Sequence, residues 1–147
     1  MNAVAPLHGV RVLEVGTYLA ASLAALHLTG LGAECVAVRR PATATGAARE
    51  AIFQPAAREA LVAGKTVVTL DLTTSQGQTR MARLVKASDV LITNLAPETL
   101  TKLGIDAASL ASINPTLIHV SMPGFASGET KDKMEVEVPP AAWEVRN

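Results

Sequence analysis

Residues 9–41 constrain the fold of this chain more than any other stretch. Segment 10–15 is apolar and rich in β-branched residues, which is typical of a buried strand. Segment 19–28 is rich in alanine and leucine and apolar on nearly every side, which predicts a buried helix. Segment 33–38 is again apolar and predicts a second strand. Strand, helix and strand in this order form a βαβ unit with a right-handed crossover and two parallel strands.

The ends of the predicted helix also carry signals. Thr17 is expected to cap its N-terminus, and Gly30 is expected to supply the left-handed residue that ends it. In nucleotide-binding βαβ units, the helix N-terminus and the carboxyl end of the second strand face one crevice. In this chain the second position carries Arg39 and Arg40. The turn at Gly16 lacks the three-glycine dinucleotide fingerprint, so a pyrophosphate cradle of that kind is not expected.

The rest of the chain continues to alternate between strand and helix patterns. Further strands are predicted at 66–72, 90–93 and 117–121, and further helices at 47–63 (divided by Pro55), after the cap at 73–75, at Pro97–Leu103 and at Ala107–Ile113. We expect a Rossmann-like α/β fold, in which a mostly parallel sheet has helices on both faces and its first four strands are adjacent. Residues 1–128 are expected to form this domain. Residues 129–147, with Trp143, are expected to form a tail that leads toward a second domain.

Composition narrows the possible functions. Hydrophobic residues make up 49% of the 147 residues but aromatic residues only 3%, so the core must be aliphatic. Thirteen basic and thirteen acidic residues leave no net charge, so neither nucleic acid nor a membrane surface is an expected partner. The single cysteine, Cys35, fits a reducing compartment, and with no signal peptide or spanning segment in the pattern we expect a cytoplasmic protein. The three histidines have no ligand spacing, and no metal site is expected.

Five phrases along the chain, in their order and spacing, point to a known family. They are Pro6-Leu7-His8-Gly9-Val10-Arg11-Val12-Leu13; Leu31-Gly32-Ala33-Glu34-Cys35-Val36 before Arg39-Arg40-Pro41; Gly64-Lys65 with Leu70-Asp71-Leu72; Asp89-Val90-Leu91-Ile92-Thr93-Asn94 with Pro97, Leu100, Leu103 and Gly104; and Asn114-Pro115 with Ser121 and Gly124-Phe125. Together they resemble the family III CoA-transferases, a group that includes formyl-CoA and carnitine CoA-transferases and acyl-CoA racemases. The resemblance covers nearly the whole chain to about residue 128.

The resemblance implies a domain that holds the adenosine and phosphates of CoA as a substrate. It also implies that an aspartate attacks the donor thioester and that CoA passes to an acceptor carboxylate through an aspartyl intermediate. In family members that aspartate is expected beyond the last residue of this sequence. Asp132 falls too early and in the wrong sequence context to take its role. No catalytic residue is therefore assigned, and we expect the chain alone to be inactive. A non-catalytic CoA- or nucleotide-binding module, an assembly fragment and an acyl-CoA racemase are the alternatives.

Arg40 is the first candidate for a CoA phosphate ligand, because a guanidinium matches phosphate geometry. A solvated basic turn is the alternative for both arginines. Arg39 is at a position that is often acidic in the family, and for it a CoA contact and a solvated turn are equally expected. Asn94 is expected either to contact CoA or to be a turn residue that bonds its own backbone. Lys102 is expected either to supply a charge for a CoA phosphate or to be simply an exposed lysine. The residues expected to contact CoA are Leu19, Arg39, Arg40, Leu70, Asn94, Leu95 and Lys102. As partners we expect acyl-CoA or CoA, together with a second copy or a second domain.

Overall fold

The computed structural model describes residues 5–17, 19–42 and 55–123, and these ranges contain five strands and five helices. The strands are β1 (Arg11–Val15), β2 (Glu34–Arg39), β3 (Thr66–Thr69), β4 (Val90–Thr93) and β5 (Ile118–Ser121). The helices are α1 (Ala20–Gly30), α2 (Pro55–Val62), α3 (Ser75–Lys86), α4 (Pro97–Leu103) and α5 (Ala107–Ile113).

All five strands form one parallel sheet in the order β3-β2-β1-β4-β5. The central strand β1 pairs with β2 and with β4, so that Val15 has Val38 on one side and Thr93 on the other. The chain adds strands toward one edge as far as β3 and then returns past β1 to add β4 and β5. Because parallel crossovers are right-handed, this reversal predicts helices on opposite faces of the sheet. The α/β class and the adjacency of the first four predicted strands are confirmed.

Alternate residues of β1 point to opposite faces of the sheet and enter two separate hydrophobic cores. Leu13 and Val15 belong to the larger core, which contains residues of α3, α4 and α5. Val12 belongs to the smaller core, which contains the two alanines of α1 that are fully buried, Ala21 and Ala25. Glu14 shares the face of Val12, since side chains on a strand alternate with a period of two. Its carboxylate therefore lies on the α1 side of the sheet.

The prediction that α1 is a buried helix holds for one of its faces and is wrong for the other. Ala21, Ser22 and Ala25 are buried, whereas Leu19 and Leu23 are 37% and 39% exposed. The residues of α1 that are buried against the sheet are small, and Leu28 packs against the same core as a partly buried residue.

The helix occupies nearly the predicted segment, but the roles predicted for Thr17 and Gly30 at its ends are wrong. Leu19 occupies the N-cap position without a side-chain hydrogen bond, so Thr17 does not cap the helix. Gly30 lies within the helix, and the left-handed residue is Gly32, with a φ of 100°. A side chain at Gly32 would collide with Ala5, so the position requires glycine for space as well as for conformation.

The residues that begin, cap and end the other helices agree with the sequence predictions. Thr74 and Asp106 cap α3 and α5 through their side chains, and Gly104 ends α4 with a φ of 67°. Pro55 begins α2, as expected for the second piece of segment 47–63, while the first piece lies outside the described residues. The predicted tail, 129–147, lies outside them too. Among the described helices, none is long and apolar enough to cross a membrane.

Candidate functional site

The carboxyl ends of parallel strands meet at one edge of a sheet, where open α/β folds place their ligands. We call this the carboxyl edge and define it by the residues that directly follow four strands: Gly16, Arg40, Leu70 and Asn94. Three of these four are predicted CoA contacts. The topology therefore brings together residues that are far apart in the sequence.

The side chain of Asn94 holds the turn that follows β1. Its Oδ1 accepts a hydrogen bond from the backbone N–H of Thr17 at 2.9 Å, and its Nδ2 donates to the carbonyl of the same residue. A Cβ added at Gly16 would lie 2.5 Å from Asn94 Oδ1 and 2.8 Å from the Cβ of Ala21. This close approach requires glycine, and it fixes the path of the chain into α1. A contact between Asn94 and CoA stays a prediction.

A buried charged network lies between α1 and the sheet, and we call its four members, Glu14, Ser22, Arg39 and Lys65, the Glu14 network. Glu14 is fully buried, and its Oε1 accepts hydrogen bonds from Arg39 Nη2 at 2.6 Å and from Ser22 Oγ at 2.7 Å. Its Oε2 accepts a hydrogen bond from Lys65 Nζ at 2.7 Å. Lys65 Nζ also donates to the carbonyl of Ser22 at 2.7 Å. The Lys65 side chain is fully buried, and that of Arg39 is 24% exposed.

The partners of Glu14 keep its carboxylate ionised. Burial raises the pKa of Glu14, but the hydrogen bonds from Lys65 and Ser22 and the positive charge of Arg39 outweigh burial, so the pKa is lowered. One negative charge is thus shared between two positive charges. The network carries one positive charge in excess.

The two adjacent arginines have different surroundings. The Arg39 guanidinium contacts Glu14 and also donates from Nη1 to the carbonyl of Val38 at 3.3 Å. Arg40 is exposed and makes no hydrogen bond or ion pair with another described residue. Of the two adjacent arginines, Arg40 therefore has the guanidinium that no described residue holds. The role of Arg39 in binding CoA stays a prediction.

The remaining predicted contacts are dispersed. Leu70 is 4% exposed and packs in the larger core, and Leu95 packs against that core from the chain after β4. Leu19 is exposed at the N-cap of α1, and Lys102 is exposed in the last turn of α4. Their contacts with CoA also stay predictions. Within the described ranges, no group of three or more His, Cys, Asp and Glu side chains is arranged to hold a metal ion.

Sequence reasoning did not identify Glu14, Ser22 and Lys65 as a group. One signal was present, because Glu14 lies between Leu13 and Val15 in a segment predicted to be buried. A carboxylate in such a strand needs partners of opposite charge. The pattern alone could not say which residues these partners would be.

The known proteins that this chain resembles are CoA-transferases. The model of CoA-transferase family III matches residues 7–138. A Mycobacterium tuberculosis protein named as a probable fatty acyl-CoA transferase is 36% identical over an alignment of 131 residues, and the match covers 84% of this chain and 33% of that protein. The succinate–glutarate CoA-transferase of Agrobacterium fabrum is 35% identical over an alignment of 134 residues, and the match covers 84% of this chain and 34% of that enzyme. The predicted family resemblance is confirmed.

Solved structures extend the match to three dimensions. A crystal structure of a CAIB/BAIF family protein from Brucella suis superposes with a TM-score of 0.74 at 30% identity. The match covers 87% of this chain and 36% of that one. This chain spans about a third of the length of the curated relatives named above.

Replacing Glu14 with glutamine should destabilise the protein strongly. The substitution keeps the size of the side chain but leaves Arg39 and Lys65 without a negative partner, and breaking a buried ion pair in this way costs about 3–5 kcal/mol. The matched control is Glu34→Gln, at an exposed position in β2, which should change the free energy of unfolding by about 0.5 kcal/mol or less. Urea unfolding followed by circular dichroism measures both. Equal losses would show that the network is not a buried ion pair in solution.

The lowered pKa of Glu14 also predicts the direction of a pH effect. A carboxyl group whose pKa is lower in the folded state stabilises that state fully above its ordinary pKa of 4.5. The stabilisation disappears as the pH falls through the lower, folded-state pKa. We expect the free energy of unfolding to decrease as the pH is lowered past about 4.5, and to decrease less steeply in Glu14→Gln. Urea titrations between neutral and acidic pH measure the two slopes, and identical slopes would contradict this assignment.

Proposed function

This chain belongs to CoA-transferase family III, and from that membership we propose that it supplies the CoA-binding part of an enzyme that moves CoA from an acyl-CoA donor to a carboxylate acceptor. The observation that carries the proposal is the position of Arg40. Its exposed side chain directly follows β2 at the carboxyl edge of an all-parallel sheet. That position is where nucleotide-binding βαβ units contact the adenosine ribose of their ligand.

The chemistry of Arg40 favours CoA over an unphosphorylated nucleotide. In dinucleotide-binding folds, an acidic residue at the end of the second strand accepts hydrogen bonds from ribose hydroxyls. An arginine at this position favours a phosphorylated ribose, and CoA carries a 3′-phosphate on its adenosine. Within this proposal Asn94 shapes the turn at the N-terminus of α1, beside the same edge.

The proposed reaction uses covalent catalysis. An aspartate carboxylate would attack the donor thioester, forming a mixed anhydride and releasing the CoA thiolate, which would attack the aspartyl carbonyl of the anhydride and expel the donor carboxylate. The acceptor carboxylate would then attack the aspartyl-CoA thioester, and the released CoA thiolate would attack the acceptor carbonyl of the second anhydride, giving acceptor-CoA and the free aspartate. One difficult acyl transfer is thereby divided into easier steps. The proposal assigns no catalytic residue to the described part of the chain, and the attacking aspartate is expected outside it. A cytoplasmic location likewise stays a prediction.

We also propose that the domain associates with a second copy of the chain. Ile118 and Val120 of β5 are 60% and 36% exposed. They pair with Val90 and Ile92, and therefore lie on the α1 side of the sheet. Parallel sheets normally have both faces covered, so this bare apolar part of the sheet favours a partner surface.

Exchange of Arg40 tests the proposed function. Arg40→Ala should lower the affinity for CoA about tenfold to a hundredfold, because a charge-assisted hydrogen bond is worth roughly 1.5–3 kcal/mol. Affinity for dephospho-CoA should hardly change. Arg40→Lys should recover part of the lost CoA affinity, because lysine restores the positive charge but cannot form the two parallel hydrogen bonds of a guanidinium. Calorimetric titration measures these affinities, with Arg80→Ala, an exposed arginine on α3, as the control. If the parent protein binds CoA and dephospho-CoA equally, Arg40 is not a phosphate ligand.

Changing the bare apolar surface on β5 tests the proposed association. The parent chain should sediment as a concentration-dependent dimer, and the double variant Ile118→Lys/Val120→Lys should sediment as a monomer, because lysine opposes burial of that surface. The matched control is Val67→Lys, which alters an exposed valine on the other edge strand, β3, and should leave the dimer intact. A monomeric parent protein at high concentration would exclude the proposed dimer.

A further inference from the structure

The side chain of Arg39 is held in place by its neighbours. Arg39 Nη2 donates to Glu14 Oε1 at 2.6 Å and to Ser22 Oγ at 3.3 Å, and Nη1 donates to the Val38 carbonyl at 3.3 Å. Only 24% of the side chain is exposed. Bonds between a guanidinium and an ionised carboxylate are among the stronger hydrogen bonds in proteins. These contacts draw Arg39 toward α1, beneath the surface of the carboxyl edge.

The backbone at Arg39 is held as well. Its carbonyl accepts a hydrogen bond from the N–H of Leu70 at 2.9 Å, and Arg39 is in register with Thr69 in the neighbouring strand. Arg40 follows this anchored residue and precedes Pro41, whose ring disfavours the helical conformation for the residue before it. The direction in which the chain presents Arg40 is therefore set by Arg39 on one side and by Pro41 on the other.

From these contacts we propose that Arg39 is a positioning residue for CoA: the Glu14–Arg39 ion pair fixes the end of β2 and thereby places the Arg40 guanidinium where it meets the 3′-phosphate. Arg39 does not touch the phosphate itself. The proposal rests on the proposed function, since it assumes that Arg40 binds CoA. It assigns separate tasks to two arginines that are neighbours in the sequence.

The experiment compares CoA with dephospho-CoA on the 147-residue chain by calorimetric titration. The first variant is Arg39→Met, which removes the ion pair but leaves Glu14 with Lys65 and Ser22, one negative charge facing one positive charge. Because this remaining pair is balanced, the fold should be retained, and thermal unfolding checks it. If Arg39→Met fails to fold, Arg39→Gln replaces it in the same titrations.

We expect Arg39→Met to lower the affinity for CoA about threefold to tenfold, which is part of the loss caused by removing Arg40. Affinity for dephospho-CoA should stay unchanged, because only the phosphate contact depends on the position of Arg40. Arg39→Lys should recover much of the affinity, since an ammonium can still pair with Glu14. In an Arg40→Ala background, Arg39→Met should have no further effect.

Each other outcome has a distinct meaning. Equal losses for both ligands would show that Arg39 merely supports the fold, and an unchanged affinity for CoA would show that it does not position Arg40. A loss that persists in the Arg40→Ala background would identify Arg39 as a direct phosphate ligand. Each of these three results overturns the inference while leaving the proposed function intact. A parent protein that does not bind CoA would overturn the proposed function itself, and this inference with it.

Discussion

The buried carboxylate of Glu14 is the group on which this arrangement depends. An ionised carboxylate without partners in a protein interior costs more free energy than a domain of this size has available. Arg39 and Lys65 supply the opposite charge, and Ser22 supplies a further hydrogen bond. These partners come from the end of β2, from the residue before β3 and from the first turn of α1. One carboxylate in the central strand thus links three other segments of the chain.

The composition of α1 makes this burial possible. Ala21 and Ala25 are fully buried, and such small side chains let the helix lie close enough to the sheet to enclose the Lys65 side chain. A buried ion pair is weak evidence of net stabilisation, since desolvation offsets much of its attraction. We therefore interpret the Glu14 network as an arrangement that fixes geometry, because moving either Arg39 or Lys65 would remove one of the hydrogen bonds to the buried Glu14 carboxylate.

The fold could be predicted from the sequence to a large extent, because its signals are local. The period of the apolar residues marks the strands, and side chains within a few positions of the helix ends, such as Thr74 and Asp106, mark the caps. The way in which the chain enters α1 could not be predicted in this way, since the expected Thr17 cap is not formed. Its preceding turn is held at Thr17 by Asn94, which lies 77 positions away in the sequence.

The residues of the candidate site also differ in whether their position could be predicted from the sequence. Arg40 could be placed from the pattern, since the carboxyl end of the second strand is a known ligand position in this topology. The Glu14 network could not, because the partners of Glu14 lie 8, 25 and 51 positions along the chain. Contacts of that separation become visible only once the sheet is formed. For the same reason the sequence could not show which of the two adjacent arginines faces inward.

The net positive charge of the Glu14 network is relevant to the proposed ligand, which is an anion. The chain has no net charge, yet the network holds two positive charges and one negative charge at one place beneath the carboxyl edge. Salt screens a partly buried charge much less than a charge on the surface. Within the proposed function, this local excess of positive charge would favour an anionic ligand such as CoA, and Arg40 would add a directed contact. Glu14 draws Arg39 inward, and its single negative charge neutralises only one of the two cations, so a positive charge remains in the network.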